Sequence, residues 1–425
     1  MNTLTEQTPV QLQARLQELE NIYADYKSRQ LSLDMSRGKP GADQLDLTVD
    51  LLTCVNEQEG FRAANGFETR NYGLVDGIPE VKALFADILG VTPEQVIVGG
   101  NSSLNMMFDY IASAYAKGVG GCTPWCKLDT VKFLCPAPGY DRHFAVTNHF
   151  GVDMIAVPMT ATGPDMDMVE ELVQDPAVKG MWCVPMYSNP DGITYSDDTV
   201  RRLAKMQTAA TDFRVMWDNA YCMHHLSDDQ DVLLNVYDAA KEAGTQDRFV
   251  MFTSTSKISF PGAGVAAMAA SPANIAEVKA RMTVQTIGYD KINMLRHARF
   301  FKDIEGVKAH MRLHAAILRP KFAVVLEALA AHKLQEKGVA TWHNPKGGYF
   351  VSVNVMAGCA KETVRLLKEA GVVMTGAGAT YPYGNDPADS NIRIAPTFPA
   401  LDELKTAMEL FCVCAELAAV RKLLA

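Results

Sequence analysis

No stretch of this 425-residue chain concentrates lysine and arginine, and the formal net charge is −9. Without a basic patch there is no electrostatic footprint for a phosphate backbone, so no nucleic-acid partner is expected. No apolar run reaches the roughly 18 residues needed to span a bilayer, so no membrane association is expected. The nine cysteines (Cys54, Cys122, Cys126, Cys135, Cys183, Cys222, Cys359, Cys412 and Cys414) are odd in number and scattered. They form neither a disulfide framework nor a zinc spacing, and most sit among apolar residues as small core side chains do. Met1 to Leu19 mixes Glu, Gln and Thr with single leucines and offers neither a signal-peptide core nor an arginine-rich transit helix. The expected compartment is therefore the cytoplasm. Internal repeats, low-complexity tracts and linkers are also missing.

What is present is ordinary globular composition: 48% hydrophobic and 21% charged residues, over a length that allows about two to three domains. Leu12, Leu16, Leu19, Ile22 and Tyr23 recur at a helical period, which predicts an opening amphipathic helix that breaks at Arg37-Gly38-Lys39-Pro40-Gly41. From Gln95 onward, short β-branched or apolar runs end in Gly, Pro, Asn or Asp and lead into helical stretches, the alternation of a sheet covered on both faces. Seven such runs are visible, at 96–98, 131–135, 153–157, 180–184, 214–217, 249–252 and 265–268. Residues 274–333 read as mostly helical, Gly347–Val353 and Asn391–Ile394 as strands, and Leu401–Leu424 as a closing helix. The expected fold is α/β: a large domain with a mostly parallel seven-stranded sheet covered by helices, spanning 61–320, plus a smaller α+β domain formed by the two termini, 1–60 and 321–425.

In an open α/β sheet, ligands sit beyond the carboxyl ends of the strands, so the residues just after each run are the informative ones. Val96-Ile97-Val98 is followed by Gly99-Gly100-Asn101-Ser102-Ser103 opening a helix, which offers free backbone N–H groups, the helix dipole and hydroxyls to an anion such as a phosphate. Other runs are followed by Tyr140-Asp141-Arg142, by Tyr187-Ser188-Asn189-Pro190, by Asp218, Asn219 and Tyr221, and by Ser254-Thr255-Ser256-Lys257. A lysine held among hydroxyls can form a Schiff base with an aldehyde, and a carboxylate on a neighbouring strand can keep a heteroaromatic nitrogen protonated. Those are the two demands of pyridoxal phosphate. Taken singly, a strand-end Asp is a helix cap, Ser-x-Ser-Lys a loop and Asn-Pro a turn. Their order along one sheet edge is what points to a site.

Together with Arg37-Gly38-Lys39-Pro40, Asn71-Tyr72-Gly73 and Asn391-Ile392-Arg393-Ile394-Ala395-Pro396, these residues carry a resemblance over nearly the whole chain. The sequence resembles the class I pyridoxal-phosphate aminotransferases of fold type I, and within them the bacterial aspartate aminotransferases of subgroup Ic. The resemblance implies Lys257 as the Schiff-base lysine and Asp218 as partner of the pyridinium nitrogen. It implies Tyr221 and Asn189 at the phenolic oxygen, Tyr140 on the ring face, and Ser102, Ser103 and Ser254 at the phosphate. It implies Tyr72 reaching the neighbouring subunit's phosphate in a homodimer, and Arg393 gripping the substrate α-carboxylate, with Gly38 and Asn189 also on the substrate side. The implied reaction is aspartate plus 2-oxoglutarate to oxaloacetate plus glutamate, ping-pong through Lys257.

One departure from the family is visible. Gly264 stands in Pro261-Gly262-Ala263-Gly264, where the family commonly has a phosphate-neutralising arginine. A dicarboxylate substrate also demands a second cation besides Arg393, and the candidates are Arg142, which is favoured, Arg37 and Lys39. The competing readings are an aminotransferase for aromatic, alanine or kynurenine donors, a pyridoxal-phosphate lyase, and, more remotely, a pyridoxal-phosphate-binding transcription regulator. The last needs a basic winged-helix segment ahead of the domain, and only Met1–Ser32 precedes it here.

Overall fold

The computed structural model describes residues 3–425. Its largest sheet contains all seven expected strands: β2 (Val96–Val98), β3 (Lys132–Ala137), β4 (Asp153–Thr160), β6 (Val178–Cys183), β7 (Arg214–Asp218), β8 (Phe249–Ser254) and β9 (Ala266–Ala270). An eighth strand, β5 (Gly163–Pro164), corrects the expected count by adding an antiparallel edge to β4. Two residues are too few to show a period, which is why the sequence hides it. The order is β2-β9-β8-β7-β6-β3-β4-β5, and β9 runs antiparallel to both its neighbours while β4, β3, β6, β7 and β8 are parallel.

Alternation along the central strands places apolar side chains on both faces. Val215, Trp217, Phe249 and Met251 enter one core, and Met216, Val250 and Phe252 the other. Both faces are thus closed to water, and the polar ends of the strands are left as the place where a ligand can bind.

A further core joins the chain's beginning to its end. The helix Pro9–Ser28, with Leu12, Leu19, Tyr23 and Tyr26 buried, packs with the helix Leu401–Leu424 and with the end of the long helix Ile304–Ala331. Ile22, assigned to the apolar stripe from sequence, is instead exposed. Two small sheets lie on this core: β1 (Leu33–Met35) parallel to β12 (Val372–Met374), and β10 (Ala340–Trp342), β11 (Val351–Val355) and β13 (Asn391–Ile394) antiparallel. The strand expected from Gly347 begins only at Val351. The preceding Gly347 bridges to His225 and packs against Tyr187, so this stretch turns towards the site before it enters the ladder.

Candidate active site

The carboxyl edge of the large sheet brings together most of the residues singled out from sequence. At its β2 end, Gly99 N–H donates to the Ala266 carbonyl (2.8 Å) and Ala266 N–H to the Gly100 carbonyl (2.7 Å), fixing the loop that opens the helix Ser103–Lys117. Ser102 is the extended N-cap of that helix, and its side chain makes no capping bond. The first-turn N–H groups and the hydroxyls of Ser102 and Ser103 therefore stay available to an anion. Ser254 Oγ donates to Ser256 Oγ (2.9 Å), which donates to the Asn101 carbonyl (3.3 Å), so the end of β8 meets this cradle. At Gly264 a Cβ would come to 3.0 Å from Thr255 Oγ1 and 3.1 Å from the Phe260 carbonyl, so even the first atom of a side chain is crowded there.

Asp218 ends β7 facing the site. Its Oδ2 accepts from His143 Nε2 (3.0 Å), while its Oδ1 is buried with no partner. His143 was not anticipated from sequence. It lies flat on Trp182 (centroids 4.3 Å apart, 10°) and edge-on to Tyr140 (4.9 Å). Thr147 fixes this stack: it receives the Trp182 Nε1–H bond (2.7 Å) and donates to the His143 carbonyl (2.9 Å). The available signal was spacing, because residues three apart at the start of the helix Asp141–His149 share a face.

Lys257 Nζ lies 5.1 Å from the Tyr221 ring centre and 5.8 Å from that of Tyr349. Burial lowers the lysine's pKa; the Asp218 charge opposes this, and the Arg393 charge adds to it. The same enclosure pushes Tyr140 up to about 12, with the Asp218 charge adding, and Tyr221 well above its usual value.

Arg393, on β13, is 7% exposed. Its Nη1 donates to Asp141 Oδ1 (2.9 Å) and Asn189 Oδ1 (3.2 Å), its Nη2 to Thr375 Oγ1 (3.3 Å), and its Nε has no partner. The guanidinium rests 4.9 Å above the Phe350 ring. Gly38 lies against that same ring, where a Cβ would come within 2.3 Å, so only glycine allows the loop this close. Asp141, Thr375 and Phe350 are additions to the sequence-derived set.

Two of the expected residues lie apart from this group. Tyr72 is 77% exposed on the surface. Arg142 is exposed and forms no ion pair among the described residues, because its neighbour Asp141 pairs with Arg393. Arg37 and Lys39 are likewise exposed, the latter with Nζ 3.9 Å above the Phe398 ring.

Several buried titratable groups around the site bear on acid stability. Burial drives His224 down to about 3, and His297 and His314 to about 4, from an ordinary 6.5, so all three are neutral in the fold. Below pH 6.5 the unfolded chain takes up protons that the folded chain refuses, so their contribution is lost as pH falls from 6.5 towards 4. Asp191, raised by burial to about 6, has the opposite slope between 3.8 and 6, but it is one group against three. The melting temperature is expected to fall steadily between pH 6.5 and 4 in calorimetric scans, and a flat profile there contradicts the burial of neutral histidines.

A parallel-rich sheet whose carboxyl edge presents an anion cradle, a half-satisfied carboxylate, a depressed lysine and a buried arginine fork has the architecture of an aminotransferase of fold type I. The family model described as aspartate amino-transferase matches residues 7–425. An aspartate aminotransferase of Corynebacterium glutamicum is 48% identical over 404 residues, covering 95% of this chain and 93% of that protein. The crystal structure of an aspartate transaminase from the same species superposes with a TM-score of 0.97 at 46% identity over 99% of both chains. An alpha-aminoadipate aminotransferase from Thermus thermophilus, complexed with N-(5'-phosphopyridoxyl)-L-leucine, shares the fold (TM-score 0.74, 20% identity, 93% and 95% covered). The chain belongs to the aspartate aminotransferase family, and it is an aminotransferase.

Proposed function

We propose that this aminotransferase uses pyridoxal 5′-phosphate to convert aspartate and 2-oxoglutarate into oxaloacetate and glutamate, in two half-reactions at one site. The observation that carries the cofactor is the orphaned Asp218 Oδ1: a buried carboxylate oxygen without a donor fits a ring N–H placed against it. The cradle at Ser102, Ser103 and Ser254 fits its phosphate, and the lowered Lys257 amine fits its aldehyde. When bound, the cofactor supplies an electron sink for the pair left at the substrate Cα.

The chain's own residues do the rest. Asp218 holds the ring nitrogen's proton and is itself oriented by His143, which Trp182 and Thr147 lock in place. Tyr140 covers the ring face, while Tyr221 and Asn189 hydrogen-bond the ring's phenolic oxygen. Lys257, whose pKa burial and the Arg393 charge lower towards the neutral amine a base needs, accepts the Cα proton at Nζ and would hand it on to the cofactor's side of the bond. Arg393 binds the α-carboxylate, with Asp141 moving off the fork as the substrate carboxylate arrives. Gly38 lets its loop close over the substrate.

Aspartate specificity requires a cation for the distal carboxylate, and we assign Arg142, whose guanidinium has no competing carboxylate and which follows Asp141 in the chain. Removing the partner of a desolvated charge costs about 2–5 kcal/mol, so Arg142→Ala is expected to lose well over tenfold in kcat/KM for aspartate and glutamate. Alanine and aromatic donors should be spared. Initial rates with a panel of twenty amino donors and 2-oxoglutarate test both points: aspartate leading in the wild type supports the reading, and equal losses across donors in the variant move the assignment to Lys39 or Arg37.

The working unit is a homodimer in which Tyr72 completes the neighbouring site. Tyr72, Val284 and Ile287 are large apolar side chains left exposed, and Gly288, next to Ile287, lies close to the Gly73 carbonyl, so the patch is suited to burial against a second copy. Mixing an inactive Tyr72→Ala chain with an inactive Lys257→Ala chain under subunit exchange is expected to restore about a quarter of wild-type activity per chain if half the dimers are mixed and each regains one intact site. Full activity in a chain shown by sedimentation to be monomeric contradicts the shared site. The two ends, 1–60 and 321–425, act as one body against 61–320, a division supported by the core that joins the first and last helices. The compartment is the cytoplasm, in keeping with nine free thiols.

A further inference from the structure

The underside of the turn that carries Lys257 is held by two histidines from different helices. Ser259 Oγ lies 2.8 Å from His297 Nε2, and the Ile258 carbonyl lies 2.9 Å from His310 Nε2. The second contact continues. One turn further along the helix Ile304–Ala331, His314 Nε2 is 3.0 Å from His310 Nε2, and its Nδ1 is 3.0 Å from Gln44 Nε2. Gln44 also donates to Tyr349 Oη (2.9 Å) and accepts from the Gly41 N–H (3.2 Å), and Thr48 Oγ1 lies 3.3 Å from His310 Nε2. All of these side chains are buried.

The chemistry of the chain is constrained. With Gln44 donating to Nδ1, His314 carries its proton on Nε2 and presents it to His310 Nε2, which then has no proton of its own, so the Ile258 carbonyl beside it shares the His314 N–H. Burial lowers the pKa of both rings, that of His314 to about 4, which disfavours a charge on the pair. The chain starts at Gly41, which ends the loop of Gly38, and finishes at the residue following Lys257. It also holds Tyr349, whose neighbour Phe350 supports both Gly38 and Arg393.

We propose that His314 is a positioning residue that ties the Gly38 loop to the Lys257 turn through Gln44 on one side and His310 with the Ile258 carbonyl on the other, so that the substrate-side loop and the lysine are held in register. The functional half of this rests on the proposed roles of Lys257 and of the Gly38 loop; the structural half does not. Amide hydrogen exchange in the full-length holoenzyme, read at 41–48 and 257–260, therefore accompanies kcat and KM for aspartate.

His314→Phe removes both links and is expected to speed exchange in both segments by about tenfold, the size of one lost buried hydrogen bond, while raising KM and lowering kcat. His314→Asn keeps an acceptor near the Nδ1 position and is expected to restore 41–48 and KM only. His314→Gln extends a donor towards the Nε2 position and is expected to restore 257–260 and kcat only. Gln44→Met, which leaves the histidine pair intact, should raise KM with kcat unchanged, and it decides the matter if His314→Phe does not fold. Unchanged exchange in His314→Phe overturns the proposal, as does an equal change of both segments in all four variants. Exchange that follows this pattern while kcat and KM do not move leaves the tie standing and contradicts the roles assigned to Lys257 and the loop.

Discussion

Replacing Lys257 with alanine is expected to lower kcat for transamination by at least about 10³-fold, since a positioned general base alone contributes about 10²–10⁴ and in its proposed role this lysine also supplies the covalent attachment. The side chain makes no hydrogen bond or ion pair among the described residues, and its Nζ lies between two aromatic rings 5.1 and 5.8 Å away. The fold does not depend on it. The turn is secured instead by its backbone, through the Ile258 and Ser259 N–H bonds to the Thr255 carbonyl (2.9 and 2.8 Å), and by His297 and the His310–His314 pair beneath. The melting temperature should stay within a few degrees of wild type, because the variant loses a partly desolvated amine and little packing. Multiple turnover by a folded Lys257→Ala chain refutes the assignment.

Asp218→Ala is the second large effect, with kcat expected to fall about 10²–10³-fold, the scale of removing one preorganised electrostatic partner. Cofactor affinity should change far less, because the Ser102–Ser103 cradle and Ser254 lie at the ends of other strands and are untouched. The variant also leaves His143 Nε2 without its acceptor, so part of the loss reflects a freed ring; Asp218→Asn, which keeps an acceptor but not the charge, separates the two. Equilibrium titration with pyridoxal phosphate beside steady-state rates checks the split. Near wild-type turnover in a variant that still binds the cofactor removes Asp218 from this role.

The gathering of these residues at one sheet edge was legible from sequence because each part follows an apolar run: Gly99-Gly100 after β2, Tyr140 after β3, Asn189 after β6, Asp218 closing β7 and Lys257 after β8. Strand ends concentrate ligand-facing groups, and strands of five or six residues show their periodicity. What escaped was set by distance along the chain. His143 meets Asp218 across 75 positions, and Asp141 meets Arg393 across 252. Such pairs arise only when separate strands and helices converge, and no local pattern encodes them. β1, β10 and β12 have three residues each and β5 has two, too short for alternation to show, and unlike the equally short β2 none of them is followed by a Gly-Gly turn opening a helix. Of the three candidate cations the sequence favoured Arg142, two residues beyond Tyr140, over Arg37 and Lys39. In the fold they differ by neighbour: Lys39 stacks on Phe398, while Arg142 follows Asp141, whose carboxylate is engaged by Arg393.

The central claim is that one cleft, built from Lys257, Asp218 and Arg393, exchanges an amino group between aspartate and an oxo acid through a bound cofactor. The most direct measurement is the visible absorption spectrum of the purified, cofactor-loaded protein on addition of aspartate with no acceptor present. The account predicts loss of the cofactor's yellow absorbance within a single turnover, release of one equivalent of oxaloacetate per site, and recovery of the original spectrum when 2-oxoglutarate is added. A spectrum unmoved by aspartate but bleached by an aromatic donor or alanine contradicts the proposed specificity, and a protein that takes up no pyridoxal phosphate contradicts the account of the site.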